Sequence, residues 1–141
     1  MADIKYESKI GQINANADKV YTVLTNLENL QRFAEYIPQD KVKALEITPD
    51  VVRFKIEGLG PKISIGIVDR EENKMIKYGA ENLPIPINAW IQLKQIEEGD
   101  TRIRITVKAD MPAMFKMMLD KKMQTGLDQA VDMLCNIQYN H

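Results

Sequence analysis

Few side chains in this 141-residue chain could move a proton or hold a polar group on a substrate. The single histidine, His141, is the last residue, and terminal side chains are seldom held in place. Ser-His, Cys-His and His-metal sites therefore fall away, and no metal site is expected. Cys135 is the one cysteine, so no internal disulfide is expected. Neither common Gly-rich phosphate motif is present, and no cofactor is expected. Tyr6, Tyr78, Lys122 and Glu57 remain. They could shuttle a proton or steady an enolate if two of them met, but nothing in their spacing brings two together. Each also has an ordinary role open to it. The hydroxyls of Tyr6, Ser8 and Tyr78 fall on faces that should be buried, where backbone or water can satisfy them as well as a ligand can. Lys122 sits at the edge of an apolar helix face, where its stem can lie on the core with its amine in water. If that amine instead reached into a cavity, it would suit a carboxylate, and burial would lower its pKa.

Bulk composition narrows the partners. Nineteen basic residues against twenty acidic ones leave a net charge of -1, which gives no broad drive toward nucleic acid or an anionic surface. The start "MADIKYESKIGQ" has no apolar run and does not read as a signal peptide. No stretch approaches the length of a membrane-spanning helix. A single cytoplasmic domain over residues 1–141, with no nucleic acid and no integral-membrane segment, is the expectation.

Those candidate residues must be positioned by elements of secondary structure. Residues 3 to 13 read as a strand with Tyr6, Ser8 and Ile10 on one face; Gly11 marks a bulge that puts Ile13 out of phase with Ile10. Asn16 is a good N-cap for a helix carrying Val20, Val23, Leu24 and Leu27, and Asn26 for a second short helix carrying Leu30, Phe33 and Ile37 up to Pro38. Strands are then expected near 41–48, 51–57, 62–71, 74–82, 86–97 and 101–109. "VRFKI" and "TRIRITVK" alternate apolar with polar residues, the mark of an antiparallel sheet with one wet face. A long helix closes the chain over about 112–138, with Phe115, Leu119, Met123, Gly126, Ala130, Met133, Leu134 and Ile137 on one apolar arc.

This order resembles the START-like, or helix-grip, superfamily, also called SRPBCC, which includes polyketide cyclases and the birch-pollen allergen family. The likeness is carried by "INANADKVYTVLTNLENLQRF", "GDTRIRITVKADMP" and "FKMMLDKKMQTGLDQAVDML" and runs through essentially the whole chain. It implies an α+β fold in which a seven-stranded curved antiparallel sheet wraps a long C-terminal helix, with two short helices after strand one. It also implies a cavity for an apolar small molecule between sheet and helix, and leaves the function open.

An opening for such a cavity has its own signal. In a meander, alternate connections fall at opposite ends of the sheet. One set, "TPDV", "REENK" and "EEGD", is polar; the other, "GLGP", "NLPIP" and "ADMPAM", carries proline with Leu59, Leu83, Ile85 and Met111. The segment Asp110–Met123 holds five of the chain's eight methionines; Met118 and Met123 belong to the stripe facing the sheet, whereas Met111, Met114 and Met117 join that second end, and methionine suits a surface that must adapt. These groups plug the end of the core, rim an entrance, or form a contact surface. The expected ligand-binding set is therefore Tyr6, Ser8, Phe33, Phe54, Ile56, Leu59, Tyr78, Leu83, Ile85, Met111, Met114, Phe115, Met118, Leu119 and Lys122. Met117 falls opposite the helix's apolar arc, and Trp90 should face away from the cavity. A weak dimer or a protein partner through Trp90 or through Met114 and Met117 follows as an expectation.

Three functions fit. The leading one is a non-catalytic binding or carrier protein for a hydrophobic, lipid-like or polyketide-like compound. The alternatives are a cyclase- or aromatase-like enzyme, and an interaction module of the co-chaperone kind.

Overall fold

The strict alternation of "VRFKI" and "TRIRITVK" is realised in an all-antiparallel sheet. The computed structural model describes residues 2–29, 42–56, 63–81, 86–137 and 139, with the backbone alone at Ala2, Asp3, 42–45, Ile56, Ile63, Glu81, Met111, Phe115, Lys116, Met118 and Leu119. The elements run β1 (Ala2–Glu7), β2 (Gly11–Ile13), α1 (Ala17–Leu24), β3 (Val42–Ile47), β4 (Val51–Ile56), β5 (Ile63–Glu71), β6 (Met75–Glu81), β7 (Ile87–Glu97), β8 (Asp100–Met111) and α2 (Ala113–Cys135). The sheet order is β1-β8-β7-β6-β5-β4-β3, with β2 also paired to β8. From β3 to β8 each strand pairs with the next, so the chain meanders and then returns through α2 across β1, β2 and β8. This is the α+β helix-grip architecture.

Among the described residues the sheet has eight strands, not seven, because the first run breaks. Ser8 N–H donates to Ile105 O at 2.8 Å. In return, Ile105 N–H donates to the Ser8 hydroxyl, also at 2.8 Å, so a side-chain oxygen stands where a strand carbonyl would. That hydroxyl donates onward to Lys9 O. The phase slips across Ser8–Ile10. Ile4, Tyr6 and Ser8 are buried, whereas Ile10 is 64% exposed and does not share their face. Ile13 returns to the core at 1% exposure.

At the first helix, Asn16 holds the N-cap position, but its side chain makes no cap bond. Its Oδ1 accepts Gly99 N–H from the β7–β8 turn at 2.6 Å instead, and the first helical N–H, of Ala17, goes to Gln95 Oε1. The helix is thus fastened to β7 by its unsatisfied end groups. Asn26 opens a 3₁₀ turn over 27–29, its Oδ1 accepting Glu28 N–H. The expected second helix beyond it lies outside the described residues.

The long helix ends at Cys135, short of the expected 138. Its buried face is also rotated from the expected arc. Val131 and Leu134 are buried and Leu127 is packed against the core, whereas Gly126 is exposed. Turning Gly126 outward loses no apolar burial, and turning Leu127 and Val131 inward gains it. The main core joins these residues to Ile13, Val20, Ile76, Leu93, Ile103 and Ile105. A smaller cluster of Ile4, Tyr6 and Ala109 fills the other end of the helix contact. Trp90 sits on the outer face, its ring flanked by Lys77 Nζ at 5.3 Å and Lys108 Nζ at 5.6 Å, a double cation–π contact. Among the described residues, no helix is long and apolar enough to cross a membrane.

Candidate functional site

Because α2 packs on β1, β2 and β8, the curve of the sheet leaves space over β4 to β7. That space is an apolar cavity of about 340 Å³. Its floor is Val52 and Phe54 of β4, Ile65 of β5, Tyr78 of β6 and Ile91 of β7. Ala130, Met133, Leu134 and Ile137, on and just beyond α2, form one wall. Val23, Leu24 and Leu27 close the opposite side, with Asn26 and Asn29 of the 3₁₀ turn as the polar members. Half of each amide is committed to that turn, since Asn29 Nδ2 donates to Val23 O and Asn26 Oδ1 accepts Glu28 N–H.

A polar clamp holds this turn over the cavity. Arg70, at the end of β5, donates from Nε to Thr25 Oγ1 at 2.7 Å and from Nη2 to Asp50 Oδ1 at 2.6 Å. Leu27 N–H donates to Pro49 O nearby. One guanidinium thus ties the end of α1 to the β3–β4 turn, a geometry that suits arginine's rigid fork.

Tyr78 carries the hydroxyl most relevant to a ligand. Burial pushes its phenol well above the ordinary tyrosine range, against a smaller opposing pull from Arg70. At neutral pH it is a neutral donor and acceptor in an apolar wall. Burial likewise raises Tyr139, whose hydroxyl donates to Leu134 O at 2.7 Å. A pH consequence follows. Below the unfolded phenol pKa of about 10 both states keep these protons, and above it the unfolded chain releases two that the folded chain retains. Stability is therefore expected to fall as pH rises beyond that point. Urea unfolding across alkaline pH, with Tyr78→Phe flattening part of the slope, checks this.

Among the described residues, the other members of the expected set fall in different places. Of that set, Phe54 and Tyr78 meet in the cavity. Tyr6 is buried in the smaller cluster, its phenol raised by burial first and then by hydrogen bonding and charge from Asp120. Ser8 spends its hydroxyl on the backbone at the β1–β2 break. Lys122 is exposed, as are Met114 at 67% and Met117 at 86%. Phe33, Leu59, Leu83 and Ile85 lie outside the described residues, as does Glu57, and the side chains of Ile56, Met111, Phe115, Met118 and Leu119 are likewise outside them. Tyr6, Tyr78 and Lys122 therefore do not converge. Cys135 is no activated nucleophile, because burial, followed by the charge of Asp132, pushes its thiol up. Among the described residues no cluster of His, Cys, Asp or Glu could hold a metal.

Sequence reading did not assign Val23, Leu24, Leu27, Val52, Ile65 and Ile91 to the site. Each was legible as inward-facing, but none carries a mark separating cavity wall from solid core. Asn26 and Asn29 offered a weak signal, as polar residues beside an apolar helix end.

No family model matches the chain, and no curated protein does. Solved structures do. Truncated norcoclaurine synthase from Thalictrum flavum superposes with a TM-score of 0.75 at 13% identity, over 99% of this chain and 96% of that one. The structure of norcoclaurine synthase from the same plant in complex with dopamine and hydroxybenzaldehyde gives 0.68 at 14% identity, over 89% and 79%. A START superfamily protein from Mycobacterium smegmatis gives 0.58 at 12% identity, over 92% and 98%. At these identities the likeness establishes the START-like helix-grip fold.

Proposed function

We propose that this chain is a non-catalytic binding or carrier protein for a hydrophobic small molecule held between the sheet and α2. The observation that carries the reading is the apolar cavity over β4 to β7. Its volume of about 340 Å³ is at the small end of ligand pockets, which favours a one- or two-ring compound or a short chain over a full-length lipid. An unfilled apolar cavity forfeits packing energy, yet the chain keeps a small residue, Ala130, in its wall. The norcoclaurine synthase structure with dopamine and hydroxybenzaldehyde supports small aromatic ligands on this fold.

The same neighbour supports an enzyme as the second reading, with Tyr78 as a neutral donor to a carbonyl or enolate. The separation of Tyr6, Tyr78 and Lys122 favours binding over chemistry.

Native mass spectrometry of the purified protein, followed by solvent extraction, tests the proposal. A stoichiometric apolar compound is the expected result. Absence of any co-purified compound, together with failure to take up single-ring aromatic probes, would reject it. Tyr78→Phe is expected to weaken a ligand bearing a carbonyl or hydroxyl by roughly tenfold, the worth of about one hydrogen bond, and to leave a pure hydrocarbon unaffected. Isothermal titration of both ligand types reads the difference.

A further inference from the structure

We infer that the outer face of the β7–β8 hairpin is a self-complementary surface through which two copies of this chain associate. A groove of about 380 Å³ lies there, remote from the cavity, with Ile10 and Ile96 on its walls and Lys94, Arg102 and Arg104 around it. Two irregularities build it. The β1–β2 break turns Ile10 outward to 64% exposure. The register of β7 on β8 shifts between Gln95 and Glu97, leaving Ile96 unpaired and 54% exposed. Single exposed apolar residues are ordinary, but here two share one groove with three cations.

One cation of the groove is left for an acidic partner. Arg102 is paired with Asp100 and Arg104 with Glu7, whereas among the described residues Lys94 makes no ion pair. The same hairpin supplies the complement. Its tip presents Glu97 and Glu98, both exposed, next to Ile96. Glu98, at the turn itself, makes no ion pair among the described residues and is the carboxylate available to a second copy. Since tip and groove are adjacent on one hairpin, a twofold axis beside it sets each tip into the other's groove. Every contact then occurs twice and the assembly closes at two. Four isoleucines form the centre, with Lys94–Glu98 pairs at the rim.

The tip is held in advance. Gly99 takes a left-handed φ of 76° in the turn. Gly99 N–H is bound by Asn16 Oδ1, and Thr101 donates to Ala15 O at 2.7 Å. Docking such a tip costs little ordering entropy.

Sedimentation velocity of the whole chain over a range of concentrations tests this. The unsubstituted chain is expected to show a reversible monomer–dimer equilibrium that weakens with salt. Ile96→Asp should weaken it at least about tenfold. Lys94→Glu alone and Glu98→Lys alone should each weaken it, and an equimolar mixture of those two variants should restore it, because both rim pairs then become attractive again. All three positions are exposed, and circular dichroism verifies their fold; the mixing experiment decides even if Ile96→Asp does not fold. A chain that stays monomeric throughout, a dimer indifferent to Ile96→Asp, or a mixture no tighter than its components would overturn the inference.

Discussion

Ala130→Trp is expected to abolish ligand uptake while leaving the chain folded. Ala130 is half-buried in the α2 wall and lines the cavity together with Met133, Leu134, Ile65 and Tyr78. An indole there has vacant space to enter, so it avoids the strain that overpacking costs in a filled core. The filled cavity should bind at least about a hundredfold more weakly, close to 3 kcal/mol. Stability should rise by about 0.5–2 kcal/mol, the usual return on filling a cavity. Gln129→Trp, on the exposed side of the same helix, controls for adding an indole and should leave affinity unchanged. Displacement of a fluorescent apolar probe reads affinity, and thermal unfolding reads stability. Undiminished uptake by the Ala130 variant would place the ligand outside this cavity.

What could be read in advance, and what could not, separates by range. Strands β4 and β8 were legible because Arg53 and Lys55, or Arg102 and Arg104, must reach water while Phe54, Ile103 and Ile105 must not. That is a local constraint, and it survives folding. The β1–β2 break was only half legible. Gly11 marked an irregularity, but an apolar Ile10 gives no hint that it will face solvent; the choice is made by Ser8, whose hydroxyl takes the hydrogen bond of Ile105, ninety-seven residues away. The helix face was misjudged by a small rotation for a similar reason. Gly126 has no side chain to vote for either side, and the decision falls to what Leu127 and Val131 meet.

The cavity was the least legible feature. Ile65 and Ile91 line it whereas Ile76 and Ile103 sit in solid core, and no pattern distinguishes these isoleucines. The difference arises from where α2 lies across the sheet. Apolar loops and the methionines point to an opening at the far end of the sheet, and most of those loop residues lie outside the described ones. Of those methionines, Met114 and Met117 are exposed, as their place off the apolar arc implies, and the cavity over β4 to β7 lies against the C-terminal half of α2.

The seat of α2 on β2 is tight at Gly11, so Gly11→Ala is expected to be among the most damaging single-methyl additions to this chain. A Cβ at Gly11 would come within 2.5 Å of Val131 Cγ1, 2.6 Å of Cys135 Sγ and 3.3 Å of Ile103 Cγ2. Val131 and Ile103 are 0% and 1% exposed, so neither can swing into solvent, and the last turns of α2 must lift. The cost should be roughly 2–3 kcal/mol, the upper part of the range for overpacking. Lifting these turns also moves Leu134 and Ile137, so ligand affinity should fall with stability. Val131→Ala alone opens a void and destabilises, but combined with Gly11→Ala it should recover part of the loss, a coupling of at least about 1 kcal/mol between neighbours. The same change at Gly126 provides the contrast. There a Cβ meets nothing within 4 Å, and Gly126→Ala in mid-helix should stabilise by about 0.5–1 kcal/mol. Denaturant midpoints of the four variants measure all of this. A neutral Gly11→Ala would mean that the end of α2 does not seat on β2, and the cavity wall it forms would have to be redrawn.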